Sequence, residues 1–431
     1  MGTYLNPGNI GFKEVRSSQY IDKSGLIQLI NNTIGTKQKL TCVSRPRRFG
    51  KSFAAQMLCA YYDKTCDSSP LFDDLEIAVD KKINSTYQQH LNKYDVVYLD
   101  MTGVIGETNI TDIVPYIRRN IIGELTEQYP ALKIEEGFSA TMVNAVKLTG
   151  NKFIMIIDEW DAPIRESIDH PAVQKEYLEF LRSLFKNSGT TDKIFAAAYM
   201  TGILPIKKDG SQSAISDFKE FSMINPWKFS KYVGFTETEV KQLCEEHHCN
   251  FAKMKQWYDG YTLAKETSIY NPNSVMEALR YDNFRSYWTE TSTAKSLMTY
   301  ISLDFDGLSK TIVELLGGID VAVDTNGFAN DLVTFRNRDD VLTLLIHLGY
   351  LGYDFSYKEV FIPNSEVRGE YINAVAASQW GEVSKALKNS SDTLQAIWQK
   401  YPEKVAEGIE QAHFETAHIQ YNDENALSCV I

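Results

Sequence analysis

No stretch of the chain comes near the roughly 18 apolar residues of a membrane helix, and the start, MGTYLNPGNIGFKEV, lacks the apolar core of a signal peptide. The expected compartment is the cytoplasm, and no membrane partner is expected. Met1-Gly2 is the beginning of a myristoylation signal, but Asn6 stands where that signal wants Ser or Thr. Cysteine is scarce, six in 431 residues, which excludes a disulfide scaffold and suits a reducing environment. Positive charge is also short. The net charge of −12 argues against broad, nonspecific nucleic-acid binding, while leaving room for a local basic patch. Repeats and low-complexity linkers are missing. What is present is core material: 43% hydrophobic residues, with 24 Tyr, in a chain long enough for two or three domains.

The one dense group of metal-ligand types is CEEHHCN, with Cys244, His247, His248 and Cys249. Four ligands within six residues at a helix end cannot easily surround one tetrahedral ion, so no metal site is expected there.

The first half alternates strand-like and helix-like segments. KLTCVS (39–44), YDVVYLDMTG (94–103), KFIMIIDEWDAPI (152–164) and KIFAAAYMTGI (193–203) read as strands. FAAQMLCAYYDK, DIVPYIRRNIIGELTEQY (112–129) and KEYLEFLRSLFKNSG (175–189) carry helical spacing. Near-continuous apolar strands between helices predict an α/β fold, a parallel sheet covered on both faces. Beyond about residue 225 helical segments dominate to about 290, beginning with a Thr236–Glu239 capping signal. VLTLLIHLGYLGYDFSYKEVFIPN (341–364) then reads as a helix and a hairpin, like a winged helix. The last stretch is helical and charged.

TCVSRPRRFGKSFAAQM (41–57) ends like a phosphate-binding loop, G-x-x-x-x-G-K-[ST], with Arg45 in place of the first glycine. The bare triplet carries little. Its position between a strand and a helix carries more, because loop N–H groups and a helix N-terminus then face phosphate oxygens. Lys51 can reach the β and γ phosphates, and Ser52 can ligate Mg²⁺. A hundred residues on, FIMIIDEWD ends an apolar strand in Asp158 and Glu159. Asp158 can hold Mg²⁺ through water, and Glu159 can deprotonate an attacking water. Thr201, at the end of YMTGI, is a candidate sensor of the γ phosphate; the bland alternative is a turn that uses Gly202. Pro46 restricts φ where glycine freedom is missing, and Arg45, Arg47 and Arg48 bring charge to the phosphates. With Phe49, Gly50 and Phe53 they complete the candidate ATP-binding segment, and ATP and Mg²⁺ are the expected ligands.

These residues resemble the bacterial and archaeal AAA-ATPase-like proteins that often carry a C-terminal PD-(D/E)XK nuclease-like domain. The resemblance runs through YIDKS (20–24), RPRRFGKS (45–52), IIDEWDAPI (156–164), MTGI (200–203), GFTETEV (234–240), WYDGY (257–261), YNPNSV (270–275), YWTETS (287–292) and IPNSEVR (362–368). It implies an ATP-binding, ATP-hydrolysing P-loop NTPase sheet between helices, followed by a helical lid and a winged-helix-like module. It also implies Tyr20 and Asp22 beside the nucleotide, whereas YIDKS alone reads as a turn with Ser24 as a helix N-cap. The implied units are 1–225, 226–295, 296–370 and 371–431. The stretch MINPWKFSKYVGF departs from the family pattern before the lid. In YNDENALSCVI (421–431), Glu424 holds the place of the first acid of the nuclease core, and no D…E-x-K follows it. No nuclease activity is therefore expected of these residues. DNA or RNA contact is expected chiefly through such a C-terminal part, and a homo-oligomer is a further expected partner. Two rival readings stand beside the ATPase: an ATP-bound, non-hydrolysing interaction module, and a small-molecule kinase, for which no acceptor or lid motif is found.

Overall fold

The computed structural model describes residues 2–79, 86–186, 188–206, 208–209, 212–213, 215, 217–264, 267–288, 300, 307–330, 332, 334–377, 393 and 396–415. Glu424 and most of the 371–431 segment lie outside the described residues.

Five parallel strands form the central sheet: β1 (Leu40–Ser44), β2 (Asp95–Asp100), β3 (Phe153–Asp158), β4 (Phe195–Gly202) and β5 (Lys219–Phe221). Their order across the sheet is β2-β3-β4-β1-β5. The alternation is visible residue by residue. Val96, Ile154 and Ile156 face one core, and Val97, Met155 and Ile157 face the other. One face is covered by α1 (Ile10–Ser17), α2 (Gly25–Asn31) and α3 (Lys51–Tyr62). The other carries α4 (Met101–Glu107), α5 (Ile113–Gln128) and α6 (Phe138–Thr149), then α7 (Ala162–Glu166) and α8 (Pro171–Phe185). The expected α/β architecture is therefore present.

Two strand limits differ from expectation. β2 stops at Asp100, whose carboxylate accepts from the N–H groups of Thr102 and Gly103 and so starts α4. An acceptor side chain at that point offers the backbone a helix start. β3 stops at Asp158, because Glu159 takes a left-handed φ of 51°.

The second half is less helical than its sequence suggests. β6 (Phe235–Thr236), β7 (Tyr261–Ala264) and β8 (Thr267–Tyr270) form a small antiparallel sheet in the order β6-β8-β7. Around it lie α9 (Glu237–Glu246), α10 (Phe251–Tyr258) and α11 (Pro272–Tyr281). The capping box at Thr236 and Glu239 is formed. Then come α12 (Leu308–Leu316), β9 (Val321–Ala322), α13 (Arg338–Leu348), β10 (Gly352–Asp354), β11 (Glu359–Phe361), α14 (Ser365–Ala377) and α15 (Pro402–Glu415). The hairpin β10-β11 gains β9 as a third antiparallel strand.

The core ignores the boundaries that the motifs suggest. One cluster of buried side chains runs from Phe12, Val43 and Phe49 through Tyr261 and Leu263 to Leu345, Tyr350 and Val375. No described helix is long and apolar enough to cross a membrane.

Candidate nucleotide site

Parallel strands bring their carboxyl ends to one edge of the sheet, and the order across it decides which loops meet. β4 lies between β1 and β3, with Val43 opposite Thr201 and Ile157 opposite Met200. The loop after β1 and the acids after β3 therefore open on the same crevice.

The loop from Arg45 to Gly50 has left-handed φ at Arg48 (67°) and Gly50 (86°). Gly50 precedes the first residue of α3, where that conformation suits glycine alone without strain. Neither Arg45 nor Pro46 has a positive φ, so the absent first glycine is not needed for the turn. Arg45 is also no phosphate ligand by position. It is fully buried, and its Nη1 donates to the carbonyls of Ser44 (2.8 Å) and Phe221 (3.1 Å). It ties the start of the loop to the edge strand β5. Burial lowers its pKa to about 10, so it stays charged at neutral pH.

Lys51 is buried at the head of α3. Its Nζ donates to the Pro46 carbonyl (2.9 Å) and sits 3.2 Å from Glu159 Oε1. The left-handed turn at Glu159 directs its side chain here. Arg165 holds the other oxygen, Nη2 to Oε2 at 2.6 Å. Burial alone would raise the Glu159 pKa, but Lys51 and Arg165 outweigh it and hold the carboxylate ionised. Asp158 is 2% exposed and takes a hydrogen bond from the Ser52 hydroxyl. Its pKa is raised to about 6, by burial first, with the Ser52 bond opposing.

Ser52 and Asp158 thus present adjacent hard oxygen donors. Mg²⁺ keeps several waters and is commonly held by one or two protein oxygens together with phosphates, so this pair fits it. Among the described residues there is no group of three or more His, Cys, Asp or Glu able to hold a metal. Cys244 of CEEHHCN is buried in a core, and His247 bonds the Gln19 side chain instead (2.7 Å).

From this corner a cavity of about 600 Å³ extends over α3. Arg48, Gly50, Lys51, Ser52 and Glu159 line it. Apolar side chains in its wall include Tyr20, Ile21, Phe53, Met57, Met276 and Leu279, with Lys23, His247, Glu277 and Arg280 among its polar ones. Phe53 is 58% exposed, one turn into the helix, with its ring in that wall. Tyr20 stands edge-on to Phe12, and its hydroxyl accepts from the Lys23 N–H.

Six expected residues are not part of the cavity wall: Asp22, Arg45, Pro46, Arg47, Asp158 and Thr201. Asp22 accepts from the N–H groups of Ser24 and Glu76 (both 2.7 Å), which fixes the start of α2. Ser24 gives no side-chain cap; its hydroxyl accepts from the Ile77 N–H. Thr201 is fully buried beneath the loop, its hydroxyl beside that of Tyr199. In MTGI it is Gly202 that has a clear structural duty. A Cβ there would come within 2.5 Å of Asp161 Oδ1, and Asp161 accepts from the Ile203 and Leu204 N–H groups.

Residues 8–211 match the family model described as Predicted AAA-ATPase. Over that segment the chain is similar to that family. An uncharacterized protein in the vnfD 5′ region of Azotobacter chroococcum mcd 1 is 26% identical over 293 residues. Those residues are 66% of this chain and 52% of that protein, so the match spans about half of the relative's length. Among solved structures, the Aeropyrum pernix ORC2 protein in its ADPNP–ADP complexes shares 11% identity, covering 83% of this chain and 94% of that one. The TM-score is 0.29, and no site is mapped from it.

The second half of the chain closes on the loop after β1 at three points. Phe49 packs edge-on against Tyr261, with ring centroids 5.3 Å apart. Arg48 donates to the Tyr287 carbonyl (2.8 Å). Gly349, at φ 86°, lies against Pro46 so closely that a Cβ would meet the Pro46 ring at 2.8 Å. Arg47 is exposed, and its charge is among those that lower the Glu159 pKa.

The YIDKS and GFTETEV segments also meet. Lys23 Nζ bonds the Glu239 carboxylate (2.6 Å) and the Lys231 carbonyl (2.8 Å). Glu239 is the capping-box acid of α9, so one side chain fixes both the helix start and the chain entering the cavity. The residues that sequence reasoning missed are Arg165 and the cavity residues Met276 and Leu279. Arg165 had a local signal, its i,i+4 spacing from Asp161 on α7. Met276 and Leu279 had none beyond ordinary helix periodicity.

Proposed function

We propose that this chain binds ATP with Mg²⁺ and hydrolyses it. The observation that supports this most directly is the corner where Lys51 and Ser52 open α3 against Asp158 and Glu159, beside a cavity of about 600 Å³. Lys51 leaves the Pro46 carbonyl and Glu159 for the phosphates. Ser52 and Asp158 hold Mg²⁺, which supplies charge neutralisation on the phosphate oxygens. A water oxygen bonds the γ phosphorus, the bond to the β–γ bridging oxygen breaks with its electron pair going to ADP, and Glu159 takes the water proton. The apolar side chains of Tyr20, Phe53, Met276 and Leu279 take the base.

In this reading residues 1–225 form the ATPase unit, 226–295 a lid and 296–370 a winged-helix-like unit. The contacts of Phe49, Arg48 and Pro46 carry nucleotide state to the last two. A C-terminal nuclease-like part, nucleic acid and further copies of the chain are the partners that such a switch would serve. The test is phosphate release and fluorescent-nucleotide binding. Lys51→Ala is expected to weaken binding on the order of a hundredfold, the loss of a charge-assisted contact. Glu159→Gln is expected to bind and not turn over. Equal turnover by wild type and Glu159→Gln would reject the base.

One observation favours a second reading, in which ATP is held and not hydrolysed. Both Glu159 oxygens are taken by cations, Lys51 and Arg165. Purified protein that retains nucleotide without releasing phosphate would decide for it.

A further inference from the structure

Glu159 sits at the centre of a chain of charges. Lys51 is on one side and Arg165 on the other, and Arg165 Nε is held in turn by Asp161 Oδ2 at 3.0 Å. The two ends of this chain are unlike. Lys51 is at the head of the phosphate loop, and its other partner is a loop carbonyl. Arg165 is anchored to the sheet. Asp161 is 1% exposed and takes main-chain N–H groups at the end of β4, and Arg165 is itself 9% exposed. The backbone at Glu159 is strained, with a φ of 51° that a carboxylic residue adopts at a cost of order 1 kcal/mol. Strain of this kind persists where the surroundings over-determine a side chain.

Phosphates entering the cavity compete for Lys51 and leave Glu159 one fixed partner. The geometry points to Arg165 as the positioning residue of Glu159, pinning one carboxylate oxygen so that the other is presented to water once Lys51 has moved. This rests on the proposal that Glu159 accepts the water proton. The other titratable groups near the pair are Arg47 from the loop, Asp158, Glu166 on α7 at 3.8 Å from Arg165, and the neutral Tyr300. None of them replaces a two-point contact from a buried guanidinium. Arginine suits this duty because its planar fork can engage two carboxylates at once, Asp161 through Nε and Glu159 through Nη2.

The experiment uses the full chain as wild type, Glu159→Gln, Arg165→Ala and Arg165→Lys. It reads kcat and KM for ATP, the Kd of a fluorescent ATP analogue, and thermal melting. In Arg165→Ala, kcat is expected to fall on the order of a hundredfold, the effect of a misplaced catalytic group. KM and Kd should stay within about threefold, since the phosphates do not depend on Arg165. Arg165→Lys should recover part of kcat, and it stands in if the alanine variant does not fold. Unchanged kcat in Arg165→Ala overturns the proposal. So does a raised kcat, which would make Arg165 a restraint, or a KM and Kd that rise with kcat constant, which would make it a phosphate ligand. Turnover retained by Glu159→Gln would mark failure of the base assignment instead. The proposal then falls with it, whatever Arg165→Ala does.

Discussion

Among the described residues, Glu159 and Glu366 each sit beside a second acid, and their surroundings shift them in opposite directions. Asp158 and Glu159 end β3 among cations: Lys51 and Arg165 hold Glu159 ionised against its own burial. Glu366 and Glu370 sit one turn apart on α14 among neutral donors. Glu366 Oε1 accepts from the Ser274 hydroxyl (3.0 Å) and the Tyr287 N–H (2.8 Å), and Glu370 Oε1 from the Ser286 hydroxyl (2.6 Å). There burial prevails, and the Glu366 pKa is pushed up to about 8, its hydrogen bonds and Arg48 opposing only in part. A buried carboxyl with guanidinium contacts stays a carboxylate; one with hydroxyl and amide donors becomes an acid. The first arrangement suits proton transfer, and the second joins α11, the chain at 286–287 and α14.

The largest expected effect separates the pairs by their amides. Glu159→Gln should lower steady-state phosphate release on the order of a hundredfold or more. Glu366→Gln should leave it within about twofold, because an amide mimics an acid that is already protonated. Next, Glu366→Ala should destabilise by about 1–3 kcal/mol in urea unfolding, since it leaves the Ser274 hydroxyl and Tyr287 N–H without their acceptor. Glu366→Gln should fall well short of that.

A third measurement uses pH. The folded Glu366 pKa, about 8, lies above the value near 4.3 of an unfolded chain. The folded state therefore binds more protons between those values, so this group's contribution to stability falls as pH rises from about 4 to 8 and levels off above. The melting temperature of Glu366→Gln should show a shallower decline over that window. A parallel decline in both proteins would place the dependence elsewhere. The smallest effect belongs to Arg48, whose charge opposes the rise of the Glu366 pKa. Arg48→Ala removes the bond to the Tyr287 carbonyl and should cost about 1 kcal/mol or less in unfolding.

What the sequence made legible was local. The strands of the sheet alternate between two cores, and the apolar runs announce it. The Thr236–Glu239 box could be read directly because its partners are three residues apart. Lys51, Ser52, Asp158 and Glu159 could be named because a strand end fixes where the next residues go. The illegible parts depend on packing between distant segments. Arg45 looked like a phosphate ligand and instead bonds Phe221, 176 residues away. Asp22 looked like a nucleotide neighbour and instead fixes Glu76. β6, β7 and β8 have two to four residues each, too short to show a period of two. Gly349 carries no sign that Pro46 rests on it.

That last contact bears on how the protein is made. The loop after β1 leaves the ribosome well before its cover, since Tyr261 and Gly349 are about 200 and 300 residues further along. At about 5–20 residues per second of synthesis, Phe49 and Pro46 wait on the order of ten seconds to a minute for their partners. Until then the nascent segment carries an uncovered aromatic ring, and its loop is fully enclosed only once Gly349 has emerged.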